Sequence, residues 1–244
     1  MIDLHCHIIP WIDDGAENAA VACEMAMHAL NSGVKTIVAT PHCNLMGARP
    51  NFRGRTYNEC ISIFRALLRQ HNIPIEILPG AELFAHPSNL RRILGERRVM
   101  TLNNSRYLLV EFNFTAPGEE ITDALELISR RSLVPVVAHP ERYAAVQHDP
   151  SLVARWFRRG YIIQVNKGSI LGRLGEGARA AGIHLLRSGL IHVIASDAHD
   201  AYYRPTGFQS LLPVLRRLCP QEYIDLLLLE NPKHIIEDRR ILPP

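Results

Sequence analysis

The sequence lacks the features that mark several special classes of protein. It has no uninterrupted apolar run of about eighteen residues, so we predict no transmembrane helix. Its first residues show no basic segment followed by a long apolar stretch, which predicts that there is no signal peptide. Lys and Arg number 27 against 24 Asp and Glu, without a basic cluster. We therefore expect neither a nucleic-acid partner nor membrane insertion.

Paired cysteines and linker sequences are also missing. The five cysteines are an odd number and form no CxxC pair, which argues against a thioredoxin-like redox site or a zinc knuckle. Reduced thiols and a cytoplasmic location are the expectation. No tract rich in proline, serine or glycine divides the chain, and 47% of its 244 residues are apolar. We predict one domain over residues 1–244 with a sizeable core.

Short apolar runs alternate with amphipathic stretches of helical spacing along the whole chain. Strands that are apolar on both faces and are separated by helices predict a parallel α/β sheet. Seven such runs favour a distorted (β/α)7 barrel, with a doubly wound open sheet as the alternative. Both architectures place functional residues at the carboxyl ends of the strands. The predicted strands are residues 1–4, 35–39, 75–78, 107–112, 134–138, 161–165 and 191–195.

Histidine is frequent, with 12 residues, and several of these follow predicted strands. His5 and His7 form an HxH pair, whose spacing puts both imidazoles on one side of an extended segment. Glu111 lies inside an apolar run, where a carboxylate is costly unless a cation or hydrogen bonds compensate. Any one of these residues alone is more often a structural residue, but six of the seven strand ends carry such residues. The candidate metal ligands are His5, His7, Asp14, His42, Glu82, Glu111, His139, Asp197 and His199.

Nine candidate ligands are too many for one ion and suit two or three. Mixed imidazole and carboxylate ligands favour Mn, Zn or Fe over calcium. Neighbouring divalent ions can clamp a phosphoryl group, while one of them generates hydroxide from bound water. Arg142 and Arg204 follow two of the same strands, and a guanidinium can grip phosphate with two hydrogen bonds. Hydrolysis of a phosphate ester is therefore the leading reaction class.

Six segments occur in order at successive strand ends: HCHIIPWIDDGA, ATPH, GAE, LLVEF, AHPERY and SDAH. Together they resemble the PHP (polymerase and histidinol phosphatase) superfamily, over residues 1 to about 206. The resemblance is greatest to the bacterial manganese-dependent protein tyrosine phosphatases of capsular and extracellular polysaccharide control. It implies a PHP-type barrel with a trinuclear metal centre. It also implies catalytic roles for Arg142, Arg204, His42 and His199.

The same resemblance implies how the ligands divide among three ions. His5, His7, Glu82 and Asp197 are expected to hold one ion. Glu82 is expected to bridge to a second, which Glu111 and His139 complete, and Asp14, His42 and His199 are expected to hold a third. The implied reaction is in-line attack of a metal-bound hydroxide on phosphotyrosine, without a cysteinyl-phosphate intermediate. The implied substrate is a cognate bacterial tyrosine autokinase.

The chain departs from the family pattern at two positions. Cys43 stands where the family usually has a second histidine, and Lys167 stands where it commonly has a small residue. Residues 42–49 also satisfy HCx5R, the pattern of cysteine-dependent tyrosine phosphatases. That chemistry needs a phosphate-binding loop of small residues that leads into a helix, whereas Leu45 and Met46 occupy this one.

Histidinol-phosphate phosphatase, an enzyme of the same superfamily, is the alternative function. Its small substrate requires a closed pocket with an acid for the amine. The loops after the second and fifth predicted strands look too short to form a deep lid, which favours an open site and a protein substrate. A proofreading nuclease module is disfavoured because there is no basic groove. The sequence leaves the oligomeric state open.

Overall fold

The computed structural model describes residues 1–45, 47, 50–96 and 98–243. The seven predicted apolar runs form strands in it, and two further short strands among the described residues, His42–Cys43 and Glu82–Phe84, were not predicted. Three residues of the HCx5R pattern, Met46, Ala48 and Arg49, lie outside these ranges. So does Pro244, the last residue of the predicted domain. The strands are β1 (Ile2–Cys6), β2 (Thr36–Ala39), β3 (His42–Cys43), β4 (Glu76–Pro79), β5 (Glu82–Phe84), β6 (Tyr107–Glu111), β7 (Val134–Ala138), β8 (Ile162–Asn166) and β9 (Val193–Ala195).

Every strand pair is parallel, as the sequence predicts, and the strands form two sheets. One sheet has the order β1-β2-β4 and the other the order β3-β5-β6-β7-β8-β9. The chain changes from the first sheet to the second between β2 and β3, and again between β4 and β5. Pro41 lies at the first change and has no N–H to donate. Gly80 lies at the second, where a Cβ atom would come within 2.8 Å of a methyl group of Val38.

Backbone hydrogen bonds also join β1 to the residues that follow β9. The His7 N–H donates to the carbonyl of Ala198 over 2.9 Å, and the Asp197 N–H donates to the carbonyl of His5 over 2.8 Å. Cys6 and Ala198 form a parallel bridge in the same place. The carboxyl ends of the first and last strands therefore lie side by side, although their residues are almost 200 positions apart in the sequence.

Seven helices follow the predicted amphipathic stretches, and four short ones (α3, α5, α7 and α11) are additions too brief for periodicity to show. Asn18 caps the first helix by accepting from the Val21 N–H. The ninth helix begins at Leu212, where Pro213 fits the first turn. The helices are α1 (Ala19–Asn31), α2 (Arg55–Gln70), α3 (Leu90–Ile93), α4 (Gly118–Ser129), α5 (Ala144–His148), α6 (Ser151–Arg158), α7 (Lys167–Ile170), α8 (Glu176–Arg187), α9 (Leu212–Leu218), α10 (Gln221–Asp225) and α11 (Asn231–Ile236).

The strands are buried on both faces, and alternate residues enter two different hydrophobic clusters. In β6, Leu108 and Val110 pack in the larger cluster, which includes the inner faces of the helices. Leu109 of the same strand packs in the smaller cluster with Leu4 of β1 and Val193 of β9. The smaller cluster therefore joins side chains from both sheets. Among the described residues, no helix is both long enough and apolar enough to cross a bilayer.

Candidate metal centre

The nine candidate ligands lie together at the carboxyl ends of the strands. His5 and His7 leave β1 on the same side, and their Nε2 atoms lie 3.2 Å apart. The Oε2 atom of Glu82 is 3.2 Å from His5 Nε2 and 3.3 Å from His7 Nε2. Asp197 Oδ1 lies 3.3 Å from His5 Nε2. In this group of four, the ligand atoms all lie within 4.8 Å of one another.

Two further groups meet the same distance criterion, and both contain His42. One joins His7, Asp14, His42 and His199, and the other joins His42, Glu82 and Glu111. The resemblance implied a third ion held without His7 and a second ion held by His139 in place of His42. His139 also lies beside the second group, since its Nε2 atom is 2.9 Å from Glu82 Oε1 and 3.8 Å from Glu111 Oε2.

The backbone is strained at two of these positions. His139 has a φ of 34° and Asp197 has a φ of 49°, in the left-handed region that residues other than glycine rarely adopt. Each such residue typically costs on the order of 1–3 kcal/mol, and such strain concentrates at functional sites. Gly15 is needed for a different reason, since a Cβ atom there would lie 2.1 Å from the His7 carbonyl oxygen. Because glycine has no Cβ atom, the loop after β1 can fold directly onto His7.

Asp13 orients one of the candidate ligands and was not predicted from the sequence. Its Oδ2 atom lies 2.7 Å from His7 Nδ1 and also accepts the His42 N–H over 2.9 Å. Burial raises the pKa of Asp13, but the adjacent His7 ring and these hydrogen bonds outweigh burial and lower it to about 2. A carboxylate at Nδ1 directs the other nitrogen, Nε2, toward a metal. The sequence signal that could have indicated Asp13 was its position directly before the candidate ligand Asp14.

A second chain of hydrogen bonds connects His5 to Asp197 through β8. His5 Nδ1 lies 2.9 Å from Gln164 Oε1, and Gln164 Nε2 donates to Asn166 Oδ1 over 2.9 Å. Asn166 Nδ2 then donates to Asp197 Oδ2 over 2.5 Å. All four residues are buried. Neither Gln164 nor Asn166 is among the candidate ligands predicted from the sequence, although a polar pair at alternate positions of an apolar strand was the available signal.

The buried donors and acceptors fit a bound cation. Within the described residues, His42 Nδ1 and Glu82 Oε2 are buried without a hydrogen-bond partner, and they lie 3.2 Å apart. Burial raises the pKa of Glu82, yet the nearby His5, His139 and His42 outweigh it and hold this pKa well below its usual range. A buried carboxylate facing several imidazole nitrogens is a donor set suited to a divalent ion. The cluster is therefore able to bind metal.

Both predicted arginines line the same cavity, which has a volume of about 390 Å³. Arg204 Nη2 donates to Asp197 Oδ2 over 2.6 Å, and Arg142 Nη1 donates to the same oxygen over 3.4 Å. The Arg142 guanidinium lies 4.2 Å from the centre of the Phe114 ring. Phe84 and Phe112 line the cavity as well. Metal-ligand side chains, two guanidinium groups and an aromatic wall therefore surround one space, which suits a phosphate ester of an aromatic alcohol.

The two residues that depart from the family pattern do not line this cavity. Cys43 is buried in β3, and burial raises the pKa of its thiol to about 12. Lys167 is buried too, and its Nζ donates to the carbonyl oxygens of Pro205 and Gly207. These carbonyls belong to the segment that directly follows Arg204. Lys167 therefore anchors, through two hydrogen bonds, the segment that follows Arg204.

The chain is similar to known proteins over its full length. The family model described as "Capsular polysaccharide synthesis, CpsB/CapC" matches residues 1–237. Tyrosine-protein phosphatase YwqE of Bacillus subtilis (strain 168) is 33% identical over 246 residues, which cover 100% of this chain and 95% of that protein. Tyrosine-protein phosphatase CpsB of Streptococcus pneumoniae is 28% identical, with 99% and 100% covered.

Comparison with solved structures also finds a similarity over the full length of the chain. A chain from crystal structures of YwqE and CpsB, described as unique metal-dependent tyrosine phosphatases, superposes with a TM-score of 0.91. It is 32% identical, and the match covers 100% of this chain and 97% of that chain. An organophosphorus hydrolase mutant, 14% identical, superposes with a TM-score of 0.60 over 96% of this chain and 92% of its own. That second likeness concerns the fold alone.

Proposed function

Because the chain belongs to the CpsB/CapC family of capsular polysaccharide synthesis proteins, we propose that it is a metal-dependent tyrosine-protein phosphatase. The observation that carries this function is the arrangement of one cavity, in which Arg142 and Arg204 lie beside the cluster of imidazoles and carboxylates. Relatives that match over the full length are named tyrosine-protein phosphatases, which supports the same reaction. The protein is thus an enzyme that hydrolyses phosphotyrosine.

We propose manganese as the metal, with iron or zinc as alternatives, in two or three sites. His5, His7, Glu82 and Asp197 would hold one ion, Glu111 and His139 would join Glu82 around a second, and Asp14, His42 and His199 would hold a third. The group of His5, His7, Glu82 and Asp197 supports the first set, and the group of Asp14, His42 and His199 with His7 supports the third. For the second set, His139 Nε2 lies 2.9 Å from Glu82 Oε1 and 3.8 Å from Glu111 Oε2. When bound, such ions polarise the phosphoryl group and lower the pKa of water enough to supply a nucleophile.

The chain's own side chains would bind and orient the substrate. Arg142 and Arg204 donate to phosphoryl oxygens, because both guanidinium groups already converge on one carboxylate oxygen, Asp197 Oδ2. Phe114, which is 40% exposed, offers its ring to the phenyl group of the substrate tyrosine. His42 and His199 line the cavity and would have their catalytic role there, as ligands next to the phosphoryl group.

The surroundings of the cavity favour a phosphotyrosyl protein over histidinol phosphate. The Asp14 side chain is 66% exposed, so the ligand cluster reaches the surface. A phosphotyrosine on a protein needs such an open site, whereas a small amine-bearing substrate gains from enclosure. Cysteine-dependent chemistry is disfavoured, because the Cys43 thiol is buried and its pKa of about 12 leaves it protonated.

We propose that the substrate is a bacterial tyrosine autokinase that controls polysaccharide synthesis. The family description, which concerns capsular polysaccharide synthesis, supports this partner. A cytoplasmic location is part of the same proposal, and all five cysteines are free, as a reducing compartment would keep them.

We also propose that the two sheets form one distorted (β/α)7 barrel of the PHP type, within a single domain over residues 1–244. The bonds between β1 and the residues after β9 support closure of the barrel. The smaller hydrophobic cluster supports it too, because it contains side chains from both sheets.

The test compares two substrates with the purified protein in Mn²⁺. We expect a phosphotyrosyl peptide to be hydrolysed with a higher kcat/KM than histidinol phosphate, and chelation to remove both activities. A preference for histidinol phosphate would reject the proposed function. A peptide activity that survives complete metal removal would reject the metal dependence.

A further inference from the structure

A second groove lies beside the metal cavity and shares Phe112 with it. Its volume is about 640 Å³, and apolar side chains including Leu90 and Leu127 line part of it. The same groove is lined by Glu119, Glu120 and Asp123 of α4. The metal cavity and this groove are therefore neighbours with one aromatic residue in common. Two consecutive residues also divide between them, because Phe84 lines the metal cavity and Ala85 lines the groove.

Four acids, Glu119, Glu120, Asp123 and Glu126, line this groove against two arginines, Arg91 and Arg130, so its net charge is negative. Glu119, Glu120 and Asp123 are exposed, and none of them forms an ion pair in the described part of the chain. The next acid along α4, Glu126, differs in this respect, since it pairs with Arg130 and Arg159. The helix dipole accounts for acids in the first turn, but Asp123 lies in the second turn.

We propose that this groove binds the residues that flank the phosphotyrosine in the substrate protein, and that it selects a segment with an apolar residue and a Lys or Arg. The proposal rests on the proposed function, because it extends the same site. The apolar side chains provide a surface for the apolar residue, and the three acids of α4 attract the basic one. An extended segment advances about 3.3 Å per residue, so the contacts fall within the first few flanking residues.

An extended peptide fits these features better than a second small molecule does. The groove is lined by exposed charges and not by buried ones, and exposed charges set specificity and association rate more than affinity. A preference of about two- to five-fold in kcat/KM is the size that one such surface ion pair produces. The metal cavity, by contrast, holds the phosphoryl group and determines whether any reaction occurs.

The test uses three substrates that differ only beyond the phosphotyrosine. Two phosphotyrosyl peptides carry the same apolar residues, with Lys at flanking positions in one and Glu in the other, and free phosphotyrosine carries no flanks. We expect the wild-type protein to prefer the Lys peptide about two- to five-fold in kcat/KM. A double variant, Glu120→Lys with Asp123→Lys, should reverse this preference and leave hydrolysis of free phosphotyrosine unchanged.

Glu222→Lys is the matched control, because Glu222 is an exposed acid in the first turn of α10 and lies outside the residues that line this groove and the metal cavity. It should keep the wild-type preference. Equal rates for the two peptides with the wild-type protein would overturn the groove proposal, even if the double variant failed to fold. A preference retained by the folded double variant would overturn it too. Failure of the wild-type protein on all three substrates would instead contradict the phosphatase function itself.

Discussion

The Nδ1 atom of His7 lies 2.7 Å from the Oδ2 atom of Asp13, and that oxygen also accepts the His42 N–H. One buried carboxylate therefore fixes the ring of one candidate ligand and the backbone of another. Asp14, its neighbour in sequence, lies beside the rings of His42 and His199. Of these two consecutive acids, Asp13 orients a candidate ligand and Asp14 is itself a candidate ligand.

Asp13→Asn should weaken metal binding while the fold remains. The amide keeps an acceptor oxygen but loses the charge that holds the His7 ring, and loss of such an orienting partner typically costs about 10- to 100-fold in metal affinity. Electron paramagnetic resonance of free Mn²⁺ during a titration measures this affinity directly. Asp149→Asn, at an exposed acid near α6, should have no effect. Unchanged affinity in Asp13→Asn would show that the contact does not orient a ligand.

Gln164→Leu should lower both stability and metal affinity. The substitution preserves size but leaves His5 Nδ1 and Asn166 Oδ1 buried without the partners they now have. A buried polar group without a partner costs about 1–3 kcal/mol of unfolding free energy. Urea denaturation in the presence of a chelator measures this loss without a contribution from metal. A variant as stable as the wild type would mean that water replaces the amide.

His139→Ala should abolish turnover, whereas Cys43→Ser should leave it within a few-fold of the wild type. His139 Nε2 lies beside Glu82 and Glu111, so its loss removes a donor from the centre. Cys43 is buried and does not line the cavity. Steady-state rates and metal content are measured for both proteins. Loss of activity in Cys43→Ser with metal retained would reinstate cysteine-dependent chemistry, and full activity in His139→Ala would refute the metal assignment.

His192 should make the protein less stable as the pH falls below about 6.5. Burial lowers the pKa of this imidazole from 6.5 to about 4, and the Ile163 N–H donates to its Nδ1 atom over 3.0 Å. The unfolded chain therefore takes up a proton between these pH values and the folded protein does not. The contribution of His192 is complete above pH 6.5 and is lost as the pH falls toward 4, by up to about 3 kcal/mol.

The variant His192→Asn tests this relation. Its amide oxygen can accept the same N–H, but the side chain does not titrate, and the packing against the Phe157 ring is lost. We expect lower stability than the wild type at pH 7 and a smaller loss between pH 7 and pH 4.5. Parallel pH dependences for the two proteins in denaturant titrations would contradict the assignment.

Local patterns in the sequence were enough to predict seven of the nine strands in the described residues and the candidate ligands. The HxH pair at the end of β1 is positioned by strand geometry alone, and Glu111 stands out because it interrupts an apolar run. All seven predicted strands are present, since strands buried on both faces leave a continuous apolar signal. The strands β3 and β5 were not predicted, because segments of two and three residues are too short to show a periodic pattern.

The sequence by itself thus determined which residue types stand at the strand ends, and that is a property of short segments. Only the tertiary structure decided which side chains touch. Asp13 and Asp14 are indistinguishable as neighbours in sequence, yet Asp13 lies against His7 Nδ1 and Asp14 lies beside His42 and His199. Gln164 meets His5 across 159 residues, and the groove brings residues of α4 together with Leu90 and Phe112. Such contacts depend on how separate elements pack, and no local periodicity records that.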